Sequence, residues 1–225
     1  MTAPRRISFV IPCFNEETRL NIAAFQSARL REHGIDLLFV DDGSTDRTAA
    51  ILKGLHRDDP ERLRILSLER NVGKAEAVRR GVLDALGRSP EAIGFWDADL
   101  ATPLSEMPAF VNVLAEHPEV GFVIGSRVKL MGRVIERRAW RHYLGRVFAT
   151  AAAGALDLPV YDTQCGAKLL RVTEGVKRIF ETPFLSRWVF DVELIARYVS
   201  LDPRGRGDAA RSLYELPLLQ WIDVG

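Results

Sequence analysis

Cysteine is scarce in this chain: Cys13 and Cys165 are the only two among 225 residues. Two distant thiols build neither a disulfide framework nor a paired metal-ligand spacing, which fits a reducing compartment. Long hydrophobic runs are missing as well. No stretch reaches the roughly 18 apolar residues of a membrane span. The run Ile7 to Ile11, directly behind Met1-Thr2-Ala3-Pro4-Arg5-Arg6, is too short for a secretory leader. Neither sign of charge is in excess: 31 Lys and Arg against 30 Asp and Glu leave a net charge of +1. That balance excludes a general affinity for nucleic acid. The first apolar run is not followed by the Gly-rich loop that a dinucleotide oxidoreductase or a nucleotidyltransferase carries there. Internal repeats, low-complexity stretches and obvious linkers are absent too. These absences predict a cytoplasmic location, with any membrane contact peripheral and on the cytoplasmic face. Nothing in the sequence specifies an oligomeric state.

What is present is an alternation of short apolar runs and helical patterns. Ile7 to Ile11, Leu37 to Val40, Arg64 to Leu68, Ala92 to Trp96 and Gly121 to Gly125 read as strands. Between them, helical patterns run over about Glu16 to Arg31, from an Asp46 cap to about Leu55, from Lys74 to about Leu86, and over Pro103 to Glu116. Strands separated by helices of this length predict βαβ units, a largely parallel sheet and an α/β, Rossmann-like fold class. Ligands bind such sheets beyond the carboxyl ends of the strands. The polar clusters fall there: Asn15 and Glu16, Asp41 and Asp42, Asn71 and Lys74, Asp97 and Asp99. Each cluster taken singly also reads as a turn or helix cap. The last one carries the chemistry. Two carboxylates one residue apart, just past a buried strand, can share Mg²⁺ or Mn²⁺, hard cations often completed by substrate phosphates. A diphosphate leaving group benefits from such a cation. Asp97-Ala98-Asp99 therefore points to chemistry on a nucleotide diphosphate.

From about residue 126 the pattern changes. Arg127, Lys129, Arg133, Arg137, Arg138, Arg141 and Arg146 stand against a single anion, Glu136. Apolar Val134, Ile135, Trp140, Tyr143, Leu144, Val147 and Phe148 interleave with them. This basic amphipathic segment reads either as a solvated helix face or as a site for an anionic or membrane-borne partner.

Together these residues resemble the family 2 glycosyltransferases of the GT-A fold. Val10-Ile11-Pro12-Cys13-Phe14-Asn15-Glu16-Glu17 matches the opening motif, Val40-Asp41-Asp42-Gly43-Ser44-Thr45-Asp46 the second, and Asn71-Val72-Gly73-Lys74 with Ala77-Val78-Arg79 the third. Asp97-Ala98-Asp99 is similar to the Asp-x-Asp element. Gly125-Ser126-Arg127, Asp162-Thr163-Gln164-Cys165-Gly166-Ala167-Lys168 and Arg187-Trp188-Val189-Phe190-Asp191-Val192-Glu193 resemble the polyprenyl-phosphate sugar transferases. Within that group they are most similar to dolichyl-phosphate β-glucosyltransferases, with the mannosyltransferases close by.

The resemblance implies one domain over residues 1–225, a nucleotide-sugar half (1–125) and an acceptor half (126–225). It implies transfer of a hexose, with inversion, from a nucleotide sugar, UDP-glucose being favoured, to a polyprenyl or dolichyl phosphate. Pro12, Phe14 and Glu16 would border base and ribose, with Asn15, Gly43, Asn71 and Ala98 in the same loops. Asp41 or Asp42 would accept from a base N–H or a ribose hydroxyl. Gly73 would admit close backbone approach, Lys74 would meet base or diphosphate, and Asp97 and Asp99 would serve the metal. Arg127, Arg138 and Arg141 would hold the acceptor phosphate, since arginine's planar fork suits phosphate. Asp162 and Asp191 are the carboxylates for a base or sugar-orienting role, although Asp191 also reads as a helix cap. Gln164 and Lys168 would meet sugar or diphosphate, and Trp188 would wall the sugar. Cys165 reads as packing.

Two departures stand out. Ala101 occupies a position where mannosyltransferase relatives offer a third metal ligand. The chain also ends at Gly225, where relatives continue past a similar tryptophan into a Gly-Ser-Lys segment; this implies a shortened chain or a missing lid. Other readings remain open. One is a GDP-mannose-dependent polyprenyl-phosphate mannosyltransferase; another is a family 2 enzyme acting on a sugar hydroxyl, which would need a firm general base and no arginine cluster. A non-enzymatic nucleotide-sugar binder would be expected to lose the carboxylates or the arginines. A haloacid-dehalogenase-type phosphatase places Asp-x-Asp after its first strand, whereas here it follows the fourth.

Overall fold

A computed structural model describes residues 6–28, 30–136, 158, 160–202 and 205–224. Its centre is a seven-stranded sheet in the order β3-β2-β1-β4-β7-β5-β8. The strands are β1 (Ile7–Cys13), β2 (Ile35–Asp41), β3 (Leu63–Ser67), β4 (Ala92–Trp96), β5 (Phe122–Ser126), β7 (Ala167–Arg171) and β8 (Leu213–Pro217). β1 runs parallel to β2 and β4, and β2 to β3. β7 is antiparallel to both β4 and β5, and β5 is parallel to β8. A parallel ribbon of β6 (Val134–Glu136) and β9 (Gln220–Ile222) stands apart from the sheet. The helices are α1 (Ile22–Ser27), α2 (Thr48–Asp58), α3 (Lys74–Leu86), α4 (Met107–Glu116), α5 (Glu174–Ile179), α6 (Asp191–Leu201) and α7 (Arg206–Arg211).

The apolar runs form strands because both faces of the sheet are covered, as in parallel sheets generally. On one face Phe9, Phe39 and Trp96 pack with Phe25, Leu52, Met107 and Phe110. The edge-on pairs Phe9–Trp96 and Trp96–Phe110, at 5.6 and 5.1 Å, knit that layer. On the other face Val10, Val40, Ile93 and Phe95 meet Val78 and Val82 of α3, Leu194 of α6 and Phe190 just before it.

β1 pairs with β4 only from Ile7 to Val10. Past that point the two strands part and open a crevice. Pro12, which has no N–H to give a ladder, stands where β1 has lost that neighbour.

Two expectations change. The helical stretch over Glu16 to Arg31 is broken into the short α1 and a 3₁₀ turn at Leu30–His33. Its first residues are claimed by side chains at and just before the start of α2: the Glu16 N–H donates to Thr48 Oγ1 (2.7 Å) and the Glu17 N–H to Asp46 Oδ2 (3.1 Å). Such side-chain contacts compete with helix formation. α1 then starts late, with Asn21 accepting from the Ala24 N–H. The second change is β7, a central strand that the sequence did not announce because a lysine interrupts its five residues. Arg137, Arg138, Arg141, Arg146 and the apolar residues from Trp140 to Phe148 lie outside the described residues; the described part of that basic segment is not helical, and its Val134–Glu136 form β6.

Candidate active site

The carboxyl ends of β1, β2 and β4 and the start of α3 surround a cavity of about 290 Å³. Pro12 comes from the end of β1, Phe14 and Glu16 from the loop after it, Asp42 from just past β2, Asn71 from the loop before α3, Lys74 from the first position of α3, and Asp97, Ala98 and Asp99 from just past β4. Trp188 joins from the segment before α6, 65% exposed, and Arg19 is a lining residue that the sequence reading did not name. Its only cue was its place three residues after Glu16.

Several expected binding groups are spent on shaping the loops. The Asp42 carboxylate accepts from the backbone N–H groups of Val72 (2.7 Å) and Gly73 (2.9 Å). It thereby ties the second loop to the third. Asp41 accepts from the Ser44 N–H within its own turn (3.0 Å), and Asn15 Oδ1 accepts from the Thr45 N–H (2.9 Å). Gly43 lies against the backbone of Arg70. Asn15, Asp41, Gly43 and Gly73 are absent from the cavity lining.

Gly73 has φ +96°, and a Cβ there would sit 2.9 Å from Arg187 Nε. Glycine is required both for the dihedral and for the contact. Arg187 reaches back to Asn71 Oδ1 (3.0 Å), and its carbonyl accepts from the Ala75 N–H (3.0 Å). This arginine, quoted in a motif but given no role, fastens the Trp188 segment to the start of α3.

The acidic floor is compact. Lys74 Nζ lies 2.5 Å from Asp97 Oδ1. The Asp97 N–H donates to the Gly166 carbonyl (3.1 Å), and a Cβ on Gly166 would fall 1.9 Å from Asp97 Oδ2. The absence of a side chain at 166 thus fixes where that carboxylate lies. Asp99 Oδ1 accepts from the Ala101 N–H (3.0 Å). Burial pushes the Asp99 pKa up, and the Asp97 charge adds to the rise. Burial also raises Glu16, against the pull of Arg19, whose Nε and Nη2 contact the two Glu16 oxygens at 2.9 and 2.6 Å. Burial works against the Lys74 ammonium, but Asp97 and Asp191 outweigh it and its pKa is raised.

The donor set at Asp97 and Asp99 is all oxygen, which suits Mg²⁺ or Mn²⁺. Among the described residues no group of three or more His, Cys, Asp and Glu could hold a metal ion. Two carboxylates completed by phosphate and water are what these residues fit.

The acceptor half is arranged differently from expectation. Arg127 and Asp162, read as separate phosphate-binding and sugar-orienting groups, are bound to each other. Arg127 Nε and Nη2 each approach an Asp162 oxygen at 2.7 Å, and the Arg127 N–H adds a third contact at 3.0 Å. Burial works to lower the Arg127 pKa, and the bonds to Asp162 outweigh it and raise it. The guanidinium also stacks 5.2 Å over Trp221.

Asp191 opens α6, and no side-chain bond caps that helix. Its carboxylate instead takes the ammonium of Lys168 at 2.6 Å. Lys168, 0% exposed, also donates to the Cys165 carbonyl (2.5 Å). Both Asp191 and Lys168 therefore lie beneath the cavity rather than in its lining. Among the described residues the buried amide nitrogen of Gln164 has no hydrogen-bond partner, nor do the hydroxyls of Ser126 and Thr163. Arg138 and Arg141 fall outside the described residues. Cys165 is buried in the core.

Residues 8–173 match the family model Glycosyl transferase family 2. The chain belongs to glycosyltransferase family 2. It is 33% identical over 210 residues to a dolichyl-phosphate beta-glucosyltransferase of Drosophila melanogaster, an alignment covering 84% of this chain and 61% of that one. It is 29% identical to a dodecaprenyl-phosphate galacturonate synthase of Rhizobium johnstonii, over 83% of this chain and 54% of the other.

The fold matches glucosyl-3-phosphoglycerate synthase of Mycobacterium tuberculosis, solved with Mn²⁺, UDP-glucose and phosphoglyceric acid. The TM-score is 0.67 at 21% identity, over 95% of this chain and 69% of that one. The family 2 chain described here thus has the GT-A fold and spans about three fifths of the length of the curated relatives it matches. Membership in family 2 agrees with setting aside the phosphatase, nucleotidyltransferase and dinucleotide readings. No helix among the described residues is long and apolar enough to cross a membrane.

Proposed function

We propose that this family 2 domain transfers glucose, with inversion, from UDP-glucose to the phosphate of a polyprenyl or dolichyl lipid. It would do so as a single domain, with residues 1–125 serving the donor and 126–225 the acceptor, at a membrane surface it touches peripherally. The relatives at about 30% identity support the substrate class. The observation that carries the reading against a hydroxyl acceptor is the state of the two candidate bases. Asp162 is held by Arg127 and Asp191 by Lys168, each within 2.7 Å. A hydroxyl nucleophile needs a group to take its proton, a contribution of roughly 10²–10⁴-fold. A phosphate monoester arrives already ionised near neutral pH and needs no such group.

On this reading the β1 loop and Asp42 shape the nucleoside end of the cavity, and Trp188 walls the sugar. Asp97 and Asp99 would hold Mg²⁺ or Mn²⁺, which when bound supplies charge stabilisation for the departing nucleoside diphosphate. Lys74 adds a fixed positive charge beside that leaving group. The Arg127–Asp162 pair acts as a brace for the acceptor segment, and Arg138 and Arg141 are assigned to the acceptor phosphate.

The test is a pair of acceptors that differ only at the nucleophile. Labelled UDP-glucose is incubated with a short polyprenyl phosphate and with the corresponding polyprenol. Glucolipid from the phosphate alone is expected. Comparable glucosylation of the alcohol would overturn the reading.

A further inference from the structure

Four carboxylates face the donor cavity: Glu16, Asp42, Asp97 and Asp99. Asp99 accepts a single backbone N–H, from Ala101; the other three are more fully matched. Glu16 holds the Arg19 guanidinium, Asp42 takes two backbone N–H groups, and Asp97 takes the Lys74 ammonium at 2.5 Å. A bare divalent cation approaching Asp97 must displace a charge already seated there. Among the described residues no group of three or more metal-donor side chains forms to complete a cation's shell.

A nucleoside diphosphate changes both conditions. Its phosphate oxygens complete the cation's shell, and they offer Lys74 another anion. The lysine is placed to make that exchange. It is the first residue of α3, and its side chain keeps 24% of its exposure. Its ammonium is a compact charge on a flexible stem. Lys168, whose ammonium is enclosed by Asp191 and the Cys165 carbonyl with 0% exposure, has no such freedom.

We infer that Lys74 is a resident counter-ion of Asp97 that makes cation binding at Asp97 and Asp99 depend on the nucleotide. The inference rests on the reading of this cavity as the site of a nucleoside diphosphate sugar. When the donor enters, the ammonium passes from Asp97 to a phosphate oxygen, and Asp97 is released to act with Asp99. No covalent bond changes. The two positive charges of the cation cancel the two negative charges of the sugar diphosphate, so the exchange leaves the net charge of the site unaltered. Donor and cation therefore strengthen each other's binding, and an empty cavity holds free metal only weakly.

The test reads Mn²⁺ binding to the purified chain from the loss of the free-ion electron paramagnetic resonance signal, with and without UDP. In the native chain UDP should tighten Mn²⁺ binding on the order of tenfold or more, and by linkage Mn²⁺ should tighten UDP by the same factor. K74M should bind Mn²⁺ without nucleotide on the order of tenfold more tightly than the native chain, because the competing charge is gone. K74R keeps the charge and should keep nucleotide-free Mn²⁺ binding weak, which separates charge from any loss of folding. The inference is overturned if K74M binds Mn²⁺ no more tightly than the native chain without nucleotide, or if UDP leaves native Mn²⁺ affinity unchanged while itself binding. Failure of UDP to bind any form strikes the donor reading instead, and the nucleotide-free comparison still decides the role of Lys74.

Discussion

Asp99 carries the sharpest residue-scale consequence. Its carboxyl is raised by burial and by Asp97, so the folded chain holds it as an anion at a cost. An acid raised in the folded state destabilises at pH values above that raised pKa, and the penalty is relieved as pH falls through it. D99N should therefore melt no lower than the native chain at pH 7, and the difference should shrink as the pH is lowered. The same variant should lose Mn²⁺-dependent UDP binding. A melting temperature well below native at pH 7, with donor binding intact, would contradict both statements. Gly166 makes a complementary case. A methyl group there would press on Asp97 Oδ2 from 1.9 Å, and displacement of a reacting group by about an ångström can cost on the order of 10²-fold in rate. G166A should lower kcat/KM for the donor by a factor of that order, while circular dichroism remains native. The position of Asp97 and Asp99 just past a buried strand was legible in the sequence. The part of Gly166 was not, because a glycine's reason is the atom it would strike, and that atom lies 69 residues earlier in the chain.

At the scale of elements, β7 and α6 are joined by the buried Lys168–Asp191 pair. Removing one partner of a buried pair leaves an uncompensated charge and costs about 3–5 kcal/mol, whereas replacing both with apolar residues is often nearly neutral. K168M should thus be strongly destabilised in urea unfolding, and K168M combined with D191L should recover most of the loss. If the single and double variants unfold at the same urea concentration, the pair does not hold these elements together. The same interaction explains why β7 escaped the sequence. Ala-Lys-Leu-Leu-Arg alternates poorly, and a lysine in the middle of a sheet is sensible only once its partner, 23 residues later, is in place. β1, β2 and β4 were readable because their apolar runs are buried on both faces, and α3 because its buried residues recur at helical spacing. The helix expected from Glu16 was misjudged because Thr48, at the start of α2, and Asp46, in the turn before it, take its first N–H groups. Non-local side chains overrode a local pattern.

At the scale of the molecule, the sheet order places the ends of β1, β2 and β4 side by side and so collects clusters that are far apart in sequence into one cavity. That gathering follows from parallel topology and was legible from strand ends alone. The pairing of Arg127 with Asp162 was not, since each residue type suited a separate role and only the fold sets them 2.7 Å apart. The acceptor reading depends on this pairing and its companion at Lys168, because together they leave both candidate bases engaged. The rate should accordingly follow ionisation of the acceptor, falling as the pH drops below the second phosphate pKa of about 6, and the same inflection should persist in D162N. A shift of that inflection in the variant would mark Asp162 as the titrating base.

The most direct measurement of the central claim is transfer of labelled sugar from UDP-glucose, and separately from GDP-mannose, to a short polyprenyl phosphate with Mn²⁺ and with EDTA. Glucolipid from UDP-glucose that disappears with EDTA is the predicted result. Product from GDP-mannose alone, or glucolipid formed equally well in EDTA, would contradict the account.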